Sequence, residues 1–515
     1  MRYLLVYDMI SSGTKASVFS TDGTLIASAY RVLPISIENR YVQQDPEDWW
    51  HTVVETTHEI LPAFQAEQVA AICFTAQSQV CLCVDKEGNA LMPAITWADT
   101  RSLEVEDNIG NGISQAEHFQ LTGLTNTPNS SIRKLMWVQQ KRPDIYKKTY
   151  KMIQCKDYLV MRFTGRVLTD YSDASSTFAL DIEKNCWAER IIELSGVDAE
   201  KLPELVNSNE VVGSVTASVA MELGLKVGTP VVIGAGDILC SAVGAGCVHD
   251  GDLYMSLGSS SWIARCSQIP IEDPLLTRPT INPHAIPGMF LNFVNYQNAG
   301  VVFKWLKNSI LQYDPLGTRE VQPFQNVYPY TEMEPAVRKS PIGANGLLCL
   351  PHLLNPTSNH PQPYTAGAYI GLKWTHTRDD LMRAALEGIT FEVRRFVDFL
   401  REERTCTMTI VGIASHETYW LQMMADIFNL TIYNTELSDT PDSIGAAIIA
   451  GQAVGIYDSF DIAARFCNKQ DLFTPDPVRV RTYERLYQIY LTAFDGIEGT
   501  LQALSAFEDC DDNAD

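Results

Sequence analysis

Residues 231–246 read VVIGAGDILCSAVGAG. A β-rich run ends in a small-residue turn, and one carboxylate, Asp237, stands just past it. A second turn, LGSSSW at 257–262, is rich in hydroxyls. Acid/base chemistry needs a carboxylate held within hydrogen-bond reach of a substrate hydroxyl. Phosphate binding needs small residues that expose backbone N–H groups. The two turns together offer a general base at a strand-to-helix corner and a candidate phosphate cradle close behind it. A turn with a capping aspartate is the competing reading of GAGD alone.

These residues need elements to hold them. The chain opens with strand-like segments at 3–7 and 16–19, and Asp8 falls at the end of the first. Asp45 reads as a helix N-cap, Pro46 as the first helical residue, and Glu47 and Asp48 suit the positive end of the helix dipole. That helix runs to about Ile60, ahead of Pro62. Strands follow at 69–74 and 80–84, helices at 131–141 and 156–163, and a strand at 230–234 that leads into Asp237. The domain boundary falls at 248/249, giving domains 1–248 and 249–515. The second part opens with a strand at 253–257 and carries helices near 299–306, 378–401 and 417–428. SIGAAIIAG at 443–451 reads as a helix packed closely through small residues. Both parts begin with strands, a turn and hydroxyl residues, which predicts a duplicated α/β architecture.

The bulk properties bound the rest. A chain of 515 residues is too long for one hydrophobic core. Its 46% hydrophobic and 20% charged residues are ordinary for a globular protein. A net charge of −23 argues against nucleic-acid and anionic-membrane partners. No apolar run is long enough to span a bilayer, and the opening MRYLLVYDMISSGTK turns polar too soon for a secretory signal. Twelve cysteines form no CxxC pair and no zinc-ligand spacing. A reducing cytoplasm is the expected location. The acidic end, FEDCDDNAD, reads as a disordered tail.

Seven stretches resemble the FGGY carbohydrate kinases, most closely the xylulokinase-like branch: QQDPEDWW, WADTR at 97–101, NSSIRKLMWVQQ at 129–140, GAGD, LGSSSW, INPHAIPG at 281–288, and GAYIGLKWTHTRDDLMRAALE at 367–387. The last fits the family's second signature throughout, and 129–140 fits the core of the first. The similarity runs from about residue 3 to 455. It implies two actin-like (ribonuclease H-like) ATPase domains of the α/β class with a cleft between them, the sugar bound mainly on the first and the nucleotide on the second. It implies ATP-dependent phosphorylation of a sugar hydroxyl, of a ketopentose such as xylulose or a related sugar or polyol. By the same resemblance Asp237 is the catalytic base and a sugar contact, and Asp8 holds Mg²⁺. Gln77, Ser78, Gln79, Trp97 and Asp99 line the sugar. Ser11, Ser12, Gly13, Thr14 and Lys15, with Gly258, Ser259 and Ser260 and with Gly412, Ile413 and Ala414, bind the nucleotide. A homodimer is left open by the resemblance.

The chain also departs from the family pattern. Ile10 stands where glycine is usual in the first phosphate turn, and a β-branched side chain resists positive φ. The adenine-side loop, GIASHE at 412–417, keeps only its first glycine. On the sugar side Ser78 and Gln79 replace a methionine and a histidine, which suggests a different sugar or polyol. These departures motivate a second reading, a non-catalytic sugar-binding or regulatory relative with weakened ATP use. A dinucleotide-binding dehydrogenase fits poorly, because the third glycine of GxGxxG would fall at Leu239. A P-loop enzyme is excluded, because no Gly-Lys dipeptide occurs.

Overall fold

The computed structural model describes residues 2–258, 261–271, 279–296, 298, 302, 305–306, 330–353, 366–436 and 440–511. Two sheets organise them. The first sheet takes β1 (Tyr3–Ile10), β2 (Gly13–Ser20), β3 (Leu25–Val32), β4 (Val69–Ala76), β5 (Val211–Ser214) and β6 (Pro230–Gly236), in the spatial order β5-β6-β4-β1-β2-β3. The second takes β7 (Leu253–Ser256), β8 (Ser261–Ser267), β9 (Thr280–Pro283), β10 (Phe290–Tyr296), β11 (Thr407–Val411), β12 (Thr431–Thr435) and β13 (Lys469–Phe473), in the order β9-β10-β8-β7-β11-β12-β13.

The pairings repeat between the sheets. β1 runs antiparallel to β2 and parallel to β4, and β4 runs parallel to β6. β7 runs antiparallel to β8 and parallel to β11, and β11 runs parallel to β12. The duplication expected from the sequence is therefore a shared topology.

Local signals explain the helices that matter here. Helix α1 (Pro46–Ile60) starts where expected: the Asp45 side chain accepts from the Glu47 N–H at 3.0 Å and proline fills the first turn. Helix α3 (Cys155–Thr164) and the short α4 (Tyr171–Ser176) pack against the first sheet, whose core includes Tyr7, Phe74 and Phe163, while helix α2 (Ser131–Lys141) packs Leu135 and Met136 into a separate cluster with Cys81, Cys83 and Ile95. Helix α5 (Asp237–Gly244) follows β6 directly. In the second half come α6 (Arg378–Leu400), α7 (Thr418–Phe428), α8 (Pro441–Ala453) and α9 (Pro477–Asp511). Most of the expected 299–306 helix lies outside the described residues. Of the acidic end, residues 507–511 continue α9 and residues 512–515 lie outside the described residues; earlier in the helix, α9 packs Tyr483, Tyr487 and Tyr490 into the second core.

Helices α5 and α8 lie between the sheets. One buried cluster joins Leu4, Val6 and Val232 of the first sheet to Tyr254, Phe293 and Val411 of the second, through Leu239 and Val243 of α5 and Ile444 and Ile448 of α8. Small residues let the two helices touch. A Cβ on Gly244 would lie 2.0 Å from the Pro441 carbonyl oxygen, and one on Gly445 would lie 1.8 Å from that of Cys240. The small-residue stretch at 443–451 thus has a mechanical purpose: its backbone is the contact surface. Among the described residues no helix is long and apolar enough to cross a membrane, and no disulfide forms.

Candidate active site

Three parallel strands end together. Across β1, β4 and β6, Asp8 stands beside Thr75, and Thr75 beside Ala235. In open α/β sheets ligands bind beyond the carboxyl ends of such strands. β6 carries an irregularity between Val232 and Ala235. Gly234 makes it possible: its φ is +77°, and a Cβ there would lie 1.8 Å from the Phe74 carbonyl oxygen. Such a bulge re-aims the chain. Gly236 then forms the N-cap of α5, and Asp237 is its first residue.

Asp237 is half-buried, and its Oδ1 accepts from the Ile238 N–H at 2.8 Å. Burial, reinforced by the charge on Asp442, pushes its carboxyl up to about 7. A base poised near neutral pH couples a usable deprotonated fraction with real proton affinity. Asp8 is buried. Burial lifts its carboxyl to about 7; its cross-strand partner Lys15 pulls it down and Asp237 pushes it up. Asp8 Oδ1 makes no hydrogen bond among the described residues.

That orphaned, hard carboxylate oxygen suits a magnesium ion. No group of three or more His, Cys, Asp or Glu is arranged to hold a metal among the described residues. Magnesium does not require one, since it commonly takes one or two carboxylates and completes its shell with water and substrate phosphates.

A third carboxylate, Asp442, was missed from the sequence. It lies in the first turn of α8. Burial and the charge on Asp8 raise it to about 8, with Ser241 and Lys15 opposing. A Pro-Asp pair opening a small-residue helix was the available signal. Only the close contact of α5 with α8 brings residue 442 near residues 8 and 237.

The expected sugar residues separate into two groups. Trp97 is 47% exposed, and its indole N–H donates to Ser11 Oγ at 2.7 Å. Ser78 is half-buried, and its hydroxyl donates to Asp173 Oδ1 at 3.2 Å. Gln79 sits at φ +59°. Its N–H donates to Ser176 Oγ at 3.3 Å, and its carbonyl accepts from the buried Lys134 Nζ at 2.7 Å. The Gln79 side-chain amide makes no hydrogen bond among the described residues, so it remains available to a ligand. Gln77 and Asp99 do not. Gln77 is buried; its Nε2 donates to Gln44 Oε1 at 2.8 Å and its Oε1 accepts from Ser11 Oγ at 2.9 Å. Asp99 is fully buried, accepting from the Val42 N–H at 2.6 Å and pairing with the Arg101 guanidinium at 2.8 Å. Both carry structure beneath the site, because their polar atoms are already engaged.

The expected nucleotide residues also divide. Ser11 and Ser12 form the tip of the β1–β2 hairpin, but Ser11 Oγ faces Trp97 and Gln77, two of the residues expected to line the sugar. Ser12 is exposed and accepts from the Tyr30 hydroxyl at 3.1 Å. Gly13 is required for space: a Cβ would lie 2.3 Å from the Tyr30 phenol oxygen. Thr14 is buried, with its hydroxyl 2.7 Å from that of Thr52, so its side chain points away from any ligand. Lys15 is half-buried beside the acidic groups. Ile10 presents no obstacle of conformation. It is an extended residue paired with Gly13, and positive φ is not demanded of it.

In the second half, Gly412 adopts φ +89°, and a Cβ there would lie 2.7 Å from the Leu257 carbonyl oxygen. The Ala414 N–H donates to that same oxygen at 3.1 Å. Its methyl is buried, so Ala414 ties the loop to the Leu257–Gly258 turn instead of facing a ligand. Gly258 donates to Ser261 Oγ at 3.3 Å. Ile413 opens the short helix Ile413–His416. Ser259 and Ser260 lie outside the described residues.

Known proteins bear on this arrangement. The family model described as the N-terminal domain of the FGGY family of carbohydrate kinases matches residues 3–244, and that of the C-terminal domain matches residues 253–454. The xylulose kinase of Bacillus subtilis (strain 168) is 29% identical over 519 residues, covering 98% of this chain and 99% of the relative. Two solved structures from Lactobacillus acidophilus share the fold. A ligand-bound xylulose kinase superposes with a TM-score of 0.87 at 21% identity, over 98% of this chain and 100% of its own. A gluconate kinase superposes with a TM-score of 0.88 at 21% identity, over 98% and 99%.

Proposed function

Because the chain belongs to the FGGY family of carbohydrate kinases, we propose that it phosphorylates a hydroxyl of a neutral ketose, a ketopentose such as xylulose, from ATP, with Asp237 taking the hydroxyl proton. The chain is an enzyme of the sugar-kinase class. The extended geometry of Ile10 removes one of the two nucleotide-side departures behind the non-catalytic reading; the other, the adenine-side loop at 412–417, keeps only its first glycine.

One observation carries the choice of a neutral sugar. The Ser78–Gln79 turn offers a hydroxyl and an amide, and a Cβ on Gly236, the residue before Asp237, would lie 2.7 Å from Ser78 Oγ. The two lysines behind it are fully buried and committed, Lys134 to the Gln79 carbonyl and Lys156 to three aspartates. With its terminal hydroxyl at Asp237, an aldonate such as gluconate would hold its carboxylate at the far end of the chain, where the Ser78–Gln79 turn offers a hydroxyl and an amide and no cation of its own. An unpaired charge is costly in a partly desolvated site. A polyhydroxy ketose meets amide and hydroxyl partners instead.

In this reading Trp97 supplies the apolar wall, and Ser78 and Gln79 orient the sugar. Asp237 accepts the proton as the hydroxyl attacks the γ-phosphate. Phosphoryl transfer asks mainly for positioning and charge neutralisation. Asp8 would hold the magnesium ion, which supplies neutralising charge to the phosphates when bound. Lys15 limits repulsion among the carboxylates around it. The Gly258 turn and the Gly412 loop form the nucleotide side. Catalysis in the cytoplasm, where ATP is abundant, belongs to the same proposal.

The test is ADP release from Mg-ATP with D-xylulose, D-ribulose, D-xylose, xylitol and D-gluconate. Turnover with a ketopentose and none with gluconate is expected. Preferential turnover of gluconate would contradict the neutral-sugar reading.

A further inference from the structure

Behind the proposed site lies a buried charge cluster that the chemistry above does not use. Lys156, in the first turn of α3, is fully buried. Its Nζ lies 2.9 Å from Asp170 Oδ1, 3.2 Å from Asp157 Oδ1 and 3.3 Å from Asp173 Oδ2, and all three aspartates are buried. One cation thus holds three carboxylates away from water. Such a group is costly unless every member is tightly partnered. Burial lifts the Asp173 carboxyl well above the usual range despite the pull of Lys156.

Two hydrogen-bonded arms leave this cluster. The first runs to the base. Asp170 Oδ2 accepts from Ser172 Oγ at 2.6 Å, and Ser172 Oγ accepts from the Gly236 N–H at 3.0 Å. Gly236 is the N-cap of α5, and the next residue is Asp237. The second runs to the sugar turn. Asp173 Oδ1 accepts from Ser78 Oγ. Gln154 Nε2 donates to the Asp173 carbonyl and, at 2.6 Å, to Ser176 Oγ, while Gln154 Oε1 accepts from the Val80 N–H at 3.0 Å. Ser176 Oγ in turn accepts from the N–H of Gln79. The arms also meet directly: a Cβ on Gly236 would lie 2.7 Å from Ser78 Oγ.

We infer that Lys156 is a positioning residue which, through α4, fixes the distance between the base at Asp237 and the sugar turn at Ser78–Gln79. This rests on the reading of Asp237 as the base. The cluster neither touches substrate nor transfers a proton. It sets two reacting partners, carried on different strands, against one buried reference point. Displacements of about 1 Å can cost roughly a hundredfold in rate, so such a reference has catalytic weight.

The test separates the arms. Ser172→Ala removes the partner of Gly236 and is expected to lower kcat by roughly tenfold to a hundredfold, with the sugar KM within about twofold. Ser176→Ala removes the partner of Gln79 and is expected to raise the sugar KM, and the sugar Kd by calorimetry, by about fivefold, as loss of one hydrogen bond implies, with kcat little changed. Ser172→Thr, which keeps a hydroxyl, should restore most of kcat. Lys156→Met should combine both defects if it folds, and Lys156→Arg should recover part. Active fraction is measured by ATP-site titration, so that unfolding is not mistaken for lost rate. Loss of thermal stability with kcat per active site and KM unchanged would overturn the inference, as would wild-type kinetics in both serine variants. Retained turnover in Asp237→Asn would instead overturn the base assignment and the Ser172 arm with it. The Ser176 arm is read independently from the sugar Kd.

Discussion

Trp97 donates its indole N–H to Ser11 Oγ at 2.7 Å, so the wall of the proposed sugar site and the tip of the β1–β2 hairpin are one hydrogen-bonded unit. Ser11 passes the link inward to Gln77, and Gln77 to Gln44. Removing the Ser11 hydroxyl should therefore loosen the sugar wall. Ser11→Ala is expected to raise the KM for sugar by about fivefold, roughly the loss of one net hydrogen bond, and more than it raises the KM for ATP. Equal increases would place Ser11 on the nucleotide side instead. Initial rates with each substrate varied in turn decide between them.

Asp442 should tune the base. Its charge raises the Asp237 carboxyl, second only to burial. Activity that needs ionised Asp237 should rise with pH through about 7. Asp442→Asn removes the repulsion, so the acid limb of the kcat/KM profile should move to lower pH. A limb that stays in place would mean that another group titrates there.

The carboxylate cluster should also govern stability. Asp8, Asp237 and Asp442 are raised from the ordinary value of 3.8 to about 7, 7 and 8. The folded chain therefore binds more protons than the unfolded chain across that interval, and stability falls as pH rises from about 4 to about 8. Asp8→Asn should raise the Tm of the ligand-free protein at pH 8, leave it little changed near pH 4, and still lower activity. Magnesium, which needs the ionised carboxylate, should raise the wild-type Tm more at pH 8 than at pH 6, and the rise should vanish in Asp8→Asn. Thermal scans at three pH values, with and without magnesium, measure both effects.

Gly234 is the hinge of the arrangement. With φ +77° and the Phe74 carbonyl 1.8 Å from a would-be Cβ, alanine fits in neither conformation nor space. Gly234→Ala should destabilise the fold by roughly 3 kcal/mol or more in urea titrations. The folded remainder should show reduced kcat, because the bulge aims Asp237. A neutral substitution would show that β6 reaches the site without it.

Some of this was legible in the residues and some was not. Asp45 and Pro46 announced α1 because capping is local chemistry. Gly234–Asp237 announced a strand-to-helix corner for the same reason. The carboxylates at 8, 237 and 442 come together only through strand order and through a helix crossing made by Gly244 and Gly445. Asp442 stayed hidden because no local pattern encodes a contact over 200 residues. Gln77 and Asp99 were the opposite case. Their types suit a sugar, yet Ser11 and Gln44 occupy the polar atoms of Gln77 and Val42 and Arg101 those of Asp99, and of these partners only Arg101 lies close in sequence. Ile10 looked obstructive because a residue type was compared without its backbone. The register that pairs it with Gly13 settles its conformation.

The most direct test of the account is the turnover of Asp237→Asn with the preferred ketopentose, measured beside the Kd of that sugar. The account predicts that kcat falls by roughly 10²–10⁴-fold, the range of general-base loss, while the sugar still binds within a few-fold of wild type. Turnover within a few-fold of wild type would contradict it, because the proton would then leave by a route that does not involve Asp237.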